Sequence, residues 1–497
     1  MSVAGSRGAA DAQIAAGAQV AAGARAAAGA RAAAGTRIAI LGGGLAGVSA
    51  ALDCADAGAQ VTLLEVRPRL GGAAYSVERD GLTLDNGQHV FLRCCTAYRR
   101  LLARFGSERL VRVQERLEIP VLRPGKPMTL LRRSNLPPPA HLARALLSFA
   151  PLPPLARLSA ATATRALVNV DPDDPANDRV SFGEWLTGRG QSAEAIAALW
   201  DLVVLPTLNL RANEASLALG AFVFQEGLLK SADAGDIGFH EAPLSRILGE
   251  PALQTLQAAG VEVRLRWRGS RVAIAGVADR ATGDAPLQIH GSTSGEEQRI
   301  GCDAAIVALP HLRAAEVLPE QEHELADRLR EIGVSPIVNL HVLYDRQVCE
   351  LPFVAGVQSP VQYVFDRTVA GGAPQGSQYI AVSLSGADEE MKMSEQQLRE
   401  RYLPAIAELL PAARGAQVQR FLLTREHAAT FRAVPGVGAL RPGPRTGVRG
   451  LALAGAYTKT GWPATLEGAV LSGHAAAAAV LADLGATPRE RTVGAAR

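Results

Sequence analysis

Short unbroken apolar runs bounded by glycine mark both ends of the chain, while its middle alternates or follows helical spacing. Ile38 to Leu41, after Arg37, is long enough only for a buried strand. Gly42-Gly43-Gly44-Leu45-Ala46-Gly47 follows, then a helical run from Val48 to Ala57 and a second strand, Gln60 to Leu64, that stops at Glu65. Gly81 to Leu92 enters as an alternating strand up to Asp85 and turns at Asn86-Gly87, and 96–105 predicts a helix. Residues 181–230 predict apolar helices, among them Leu217 to Phe224, fit to wall a hydrophobic pocket. Ala252 to Ala259 predicts a helix that feeds the strand Val261 to Leu265, and 287–290 and Ala304 to Leu309 predict further strands. Ile337 to Leu343, Val361 to Phe365 and Tyr379 to Ser383 alternate as a sheet with one open face would. A helix is expected over 395–411. Gly450 to Ala469 then reads as strand, loop and the glycine-bearing start of a long alanine-rich helix.

Composition narrows the class. A chain of 497 residues holds two or three domains and a large core. Its net charge of +3 and 20% charged residues are near balance, so no domain carries the clustered positive charge of a nucleic-acid binder. One stretch departs from that balance. Residues 119–170 contain Arg123, Lys126, Arg132, Arg133, Arg144, Arg157 and Arg165 but no Asp or Glu, among leucines and prolines. An apolar, purely basic surface attracts anionic headgroups, which makes this segment a candidate for membrane-surface contact. Five scattered cysteines, Cys54, Cys94, Cys95, Cys302 and Cys349, suit reduced thiols in a cytoplasmic protein, peripheral on the inner face of the cell membrane if 119–170 docks. No Cys or His spacing suits a metal, so none is expected. No run of 18 apolar residues predicts a membrane span. Residues 1–35 repeat Ala-Ala-Gly-Ala-Arg-like units, too poor in large apolar side chains to offset ordering entropy, and predict a disordered extension.

The first glycine motif carries chemistry. Gly42 suits a tight turn, Gly44 a close approach of backbone to a pyrophosphate, and Gly47 a helix packed near the strand, with the helix N-terminus facing the phosphates. Glu65, 18 residues after Gly47, stands where an acid binds a ribose hydroxyl pair. Val66-Arg67-Pro68-Arg69-Leu70-Gly71-Gly72 follows at once, with two glycines to turn the chain back across the phosphates and Arg67 for charge-assisted contacts.

This E-x-x-x-R-x-G-G pattern resembles the extended FAD-binding motif of the amine oxidase and phytoene desaturase flavoprotein superfamily. FAD is long, so its flavin end needs chain remote from the phosphate strand. The helix start near Leu466 can present backbone N–H groups to it. Asp85-Asn86-Gly87-Gln88-His89, Trp200 to Leu229 and Thr460 to Ala469 further resemble one branch, the hydroxysqualene dehydroxylases of bacterial hopanoid biosynthesis, over roughly 36–485. The resemblance implies an α/β fold: a Rossmann-like FAD-binding domain with an α+β substrate domain carrying a mixed sheet and helices. The FAD domain would comprise 36–118, 237–311 and 441–485. A helical substrate- or membrane-facing domain would span 119–236, a substrate-domain sheet and helix 312–440, and a tail 486–497.

By the same resemblance, Gly42, Gly44, Leu45, Ala46, Gly47, Glu65, Val66, Arg67, Gly71 and Gly72 would hold the ADP half, with Val263 on the adenine side. Gly87, Gln88, Gly455, Ala456 and Leu466 would meet the flavin end. Ala456 departs from the family, which usually carries an acid after Ala-Gly. The implied reaction is reductive dehydroxylation of hydroxysqualene, a triterpene allylic alcohol, to squalene. It proceeds through an allylic cation that a dry tunnel protects; His89, beside the expected flavin contact, is either the proton donor that reaction needs or a buried structural histidine, and no electron donor is implied. Three alternatives stay open. One is an oxidative carotenoid or phytoene-type desaturase. An amine oxidase is disfavoured because aromatics are only 4% of the chain. The third is a non-catalytic flavin- or lipid-binding scaffold.

Overall fold

The computed structural model describes residues 35–276 and 285–485. Apart from Gly35, the extension at 1–35 lies outside the described residues, as does the tail at 486–497.

Five strands from three distant parts of the chain meet in one parallel sheet. Strands β1 (Arg37–Leu41), β2 (Gln60–Glu65), β3 (Glu262–Leu265), β4 (Ala304–Val307) and β5 (Leu451–Leu453) lie in the order β3-β2-β1-β4-β5. An all-parallel sheet must be covered on both faces, which is why β1 and β4 read as unbroken apolar runs. On one face pack helices α1 (Leu45–Asp56) and α2 (Leu466–Asp483). They touch closely, because a Cβ on Gly473 would lie 2.2 Å from the carbonyl oxygen of Ala46. Helices from opposite halves of the chain are thus neighbours. An antiparallel three-stranded sheet, Trp267–Ile274, Leu287–Thr293 and Glu296–Cys302, covers the other face. Gly42 makes the turn from β1 to α1 with φ +108°, its N–H donating to Leu64 O at 2.8 Å. A Cβ on Gly47 would fall 1.9 Å from Gly42 O.

A seven-stranded mixed sheet forms the second half. Its order is Val418–Phe431, Val334–Tyr344, Gln378–Ser385, Tyr363–Asp366, Phe353–Gly356, Glu118–Arg123, Lys126–Arg132, parallel only between 353–356 and 118–123. Helix Glu395–Leu409, started by a Ser394/Gln397 capping box, packs Leu398, Tyr402 and Ile406 on Val338, Leu340 and Val342. Helices between 154 and 229 form a third layer around Phe182, Trp200 and Phe224, whose rings lie 5.2 to 5.7 Å apart. Two wide i→i+5 turns, Ile196–Trp200 and Gln225–Leu229, interrupt that layer.

Two expectations are corrected. The segment 119–236 does not start as helix, since 118–132 is a β-hairpin on the edge of the mixed sheet. Lys126–Arg132 exposes most of its residues, so its mixed polar pattern is that of an edge strand. The alternation at 337–343 does not mark an open face either. Val334–Tyr344 is buried along nearly its whole length, and Asn339 and His341 lie on the face covered by the Leu82–Asp85 strand and Asn86. Polar positions there face a buried site, which alternation alone does not distinguish from water.

Candidate active site

The two glycine loops that follow β1 and β2 lie backbone on backbone. Gly71 N–H donates to Gly43 O at 3.0 Å, and a Cβ on Gly72 (φ +58°) would sit 2.7 Å from the Gly44 Cα. Glu65 is buried between them, accepting from Gly43 N–H through Oε2 and from Arg67 N–H through Oε1, both at 2.7 Å. The acid therefore braces both loops through their backbone. Val66 and Arg67 are exposed, and the Arg67 guanidinium has no ion-pair partner among the described residues. The register of β3 sets Val263 beside Leu63 and Leu265 beside Glu65. The structure thus gathers Gly42, Gly44, Leu45, Ala46, Gly47, Glu65, Val66, Arg67, Gly71 and Gly72 at the carboxyl ends of β1 and β2, with Val263 one strand over. That is the crevice where nucleotides bind in open α/β sheets.

A cavity of about 450 Å³ continues from this crevice into the second half. Its near end is lined by Leu45, Gly71, Gly87, Gln88, His89, Ala456 and Leu466, joining residues some 400 positions apart. Thr465 caps α2 by accepting from Gly468 N–H at 3.1 Å. As the first residue of α2, Leu466 has a backbone N–H with no partner inside the helix. Gly455 N–H donates to Ser472 Oγ at 2.8 Å. Beside Ala456, buried Arg441 ties the loop together, donating to the carbonyls of Tyr457 (3.1 Å), Thr458 (2.7 Å) and Trp462 (2.6 Å). Burial lowers this guanidinium to about 10.

Further out, the lining is apolar and aromatic. Phe239 and Phe353 lie 5.0 Å apart, Phe222 and Trp462 5.3 Å apart, and Trp200, Phe224, Tyr363 and Phe365 complete the wall. Aromatics are few overall but concentrated here, so their scarcity is no argument against an amine substrate. The far end reaches Leu131, Arg132, Leu142 and Leu146, beside the basic segment noted above.

The near end also holds polar groups without partners. Asn339 Nδ2 donates to Asn86 O at 2.8 Å, while Asn339 Oδ1 and Gln88 Nε2 are buried without a partner. Such orphans, a cradle that any side chain on Gly72 would fill and a free first-turn N–H fit a polar-edged flavin with a diphosphate tail. His89 lines the cavity, and burial holds its imidazole below the usual value, with Asp85 and Glu426 opposing weakly. His240, bonded to His89 O and to Tyr98 OH at 2.6 Å each, is pushed down to about 3 by burial. Glu467 accepts from Ala97 N–H and Tyr98 N–H at 2.9 and 2.7 Å, and burial raises its carboxyl.

With both glycine segments and the cavity in place, similarity to known proteins can be weighed. Residues 45–481 match the model of the family described as flavin containing amine oxidoreductase. The chain belongs to this family. It is an oxidoreductase and a flavoprotein whose cofactor is FAD. It is 26% identical over 479 residues to the zeta-carotene desaturase of Arabidopsis thaliana, covering 88% of this chain and 84% of that one. To the hydroxysqualene dehydroxylase of Rhodopseudomonas palustris it is 29% identical over 469 residues, covering 90% and 98%. The solved cyclohexylamine oxidase from Brevibacterium oxydans superposes with a TM-score of 0.65 at 18% identity, covering 91% of this chain and all of that one, and bears out the fold.

Several site residues escaped the sequence reading. Tyr75, Asn86 and Glu426 form one cluster in which Glu426 Oε1 accepts from Tyr75 OH (2.9 Å) and Asn86 Nδ2 (3.0 Å). Arg69 stacks over the Tyr75 ring at 3.7 Å. Asn86 was legible as a turn and as part of the motif around Gly87 and Gln88, but not as a partner of Glu426. The strand Val418–Phe431, which carries Glu426, has no clear alternation and raised no expectation at all.

Proposed function

We propose that this protein removes the hydroxyl of hydroxysqualene reductively, giving squalene, with FAD as the bound redox group. The observation that carries the reading is the cavity, which starts at the flavin-side backbone and runs outward between aromatic walls. A long hydrocarbon with one polar group fits such a lining. The hydroxyl would sit at the polar near end and the tail among Phe239, Phe353 and Phe365. Bound in reduced form, the flavin supplies a hydride. The chain's own part is to bind the hydrocarbon, orient its allylic carbon toward Gly87 and Gln88, and keep water from a cationic carbon.

Entry from a lipid surface belongs to the same reading. Met128, Leu136, Leu147, Leu155 and Leu158 are exposed, Leu155 to 82%, in the acid-free basic segment that borders the far end of the cavity. Among the described residues no helix is long and apolar enough to cross a membrane, so contact would be peripheral.

The similarity to zeta-carotene desaturases supports a second reading, oxidative desaturation of a polyene in the same cavity. Incubating the FAD-loaded protein with hydroxysqualene and a reductant, and separately with polyenes and an electron acceptor, separates the two. Squalene in the first mixture is the expected product. Product only in the second, or only from amines under oxygen, would refute the dehydroxylase reading.

A further inference from the structure

Departure of a hydroxyl requires a proton, and three carboxylates line the cavity. Two of them are committed elsewhere. Glu226 pairs with Lys230 at 2.8 Å, and both oxygens of Glu467 hold the N–H groups that start helix Thr96–Phe105. Glu426 differs. Its Oε1 is fixed by Tyr75 OH and Asn86 Nδ2, and among the described residues its Oε2 accepts no hydrogen bond and it makes no ion pair, the nearby Arg69 guanidinium stacking on the Tyr75 ring instead. Asn86 is itself held in turn: by Tyr75 N–H at Oδ1 (3.1 Å), by Ala73 O at Nδ2 (2.9 Å), by Tyr75 O at its N–H (2.9 Å), and at its carbonyl by Asn339 (2.8 Å) and Thr424 (3.1 Å). The carboxylate is thus held at the polar end beside His89 and Gly87, with one oxygen spare and apolar walls beyond.

We propose that Glu426 is the catalytic residue that protonates the leaving hydroxyl. The proposal rests on the dehydroxylase reading given above. In that step the proton on Oε2 passes to the hydroxyl oxygen, the allylic C–O bond breaks with its electron pair leaving in water, and a carboxylate remains. The negative charge then faces the allylic cation in a low-dielectric cavity, where it stabilises the cation more than it would in water. The cationic carbon is reduced by two electrons as it takes hydride from the reduced flavin, which is oxidised. A proton from solvent restores Glu426 for the next turnover.

Glu426→Gln tests this with little disturbance, because the amide oxygen still accepts from Tyr75 and Asn86 while the ionisable group is gone. Wild type, E426Q, E426D and H89A, each loaded with FAD and reduced anaerobically by dithionite, would be mixed with hydroxysqualene in detergent. Squalene and flavin reoxidation would be followed in a single turnover from pH 5 to 9. The expected result is full flavin content and near-normal melting of E426Q, with single-turnover rates at least ~100-fold lower. E426D should recover part of the rate, and H89A should lose less than about tenfold. Equal rates and pH profiles for wild type and E426Q, with squalene formed by both, would overturn the role of Glu426 and leave the dehydroxylase reading standing. No squalene from wild type would overturn that reading and this proposal together.

Discussion

The nucleotide crevice and the substrate cavity share one wall, yet they are built on opposite principles. The crevice is made of backbone. Gly42, Gly44, Gly47, Gly71 and Gly72 matter there because they have no side chain, and Glu65 braces them through main-chain N–H groups. The cavity is made of side chains from at least six separate segments far apart in the chain. A backbone site tolerates almost no added atom. A side-chain site depends on the sum of many contacts, each replaceable at modest cost. Changes in the crevice should therefore act through flavin content, and changes in the cavity through turnover.

The largest expected effect follows from adding bulk to the crevice. In Gly72→Val the first side-chain atom would lie 2.7 Å from the Gly44 Cα at a left-handed φ, a cost of at least ~3 kcal/mol and more than a hundredfold in FAD affinity. Flavin absorbance of the purified variant reads this directly, and a normal 450 nm band would break the distinction. In the cavity, Val203→Trp should reduce kcat/KM on the long substrate at least ~tenfold with flavin content unchanged, because bulk there displaces only hydrocarbon. Loss of flavin from that variant would show that the two regions are not separable.

Acid stability sharpens the contrast, since the strongly perturbed histidines sit beside the cavity and the mixed sheet. Burial pushes His240 and His341 down to about 3. Unfolded histidines protonate near 6.5, so the unfolded chain takes up protons first as pH falls. Stability fully present above pH ~6.5 should then be lost toward pH 3, at up to about 1.4 kcal/mol per pH unit for each ring. Calorimetry should show the melting temperature falling below pH 6.5, and less steeply in His240→Gln. A curve with no fall between pH 6.5 and 4 would contradict the buried neutral rings. The smallest effect concerns the surface. Leu147→Asp with Leu155→Asp should weaken sedimentation with anionic vesicles severalfold, and salt should weaken wild-type binding, since each nearby cation contributes about 1 kcal/mol. Turnover of detergent-dissolved substrate should not change.

The crevice could be read from the chain because each requirement there is local. A turn with positive φ at Gly42, a Cβ-free contact at Gly47 and an acid at the end of β2 are all properties of residues within 36 positions. The apolar runs also revealed most strands and helices, because burial on both faces leaves a continuous signature. Glu426 was invisible for the opposite reason. It lies in a strand without a clear period, and its partners Tyr75 and Asn86 come from some 340 residues earlier. Polar Asn339 and His341 looked like the wet side of a sheet until the Leu82–Asp85 strand was seen to cover them. The same ambiguity hid the hairpin at 118–132, whose edge position only its sheet neighbours define. Sequence alone determined which cofactor class this chain can hold, since backbone geometry follows from adjacent residues. Only the tertiary structure decided which carboxylate keeps a free oxygen beside it, since hydrogen-bond partners and desolvation depend on segments that meet only in the folded molecule.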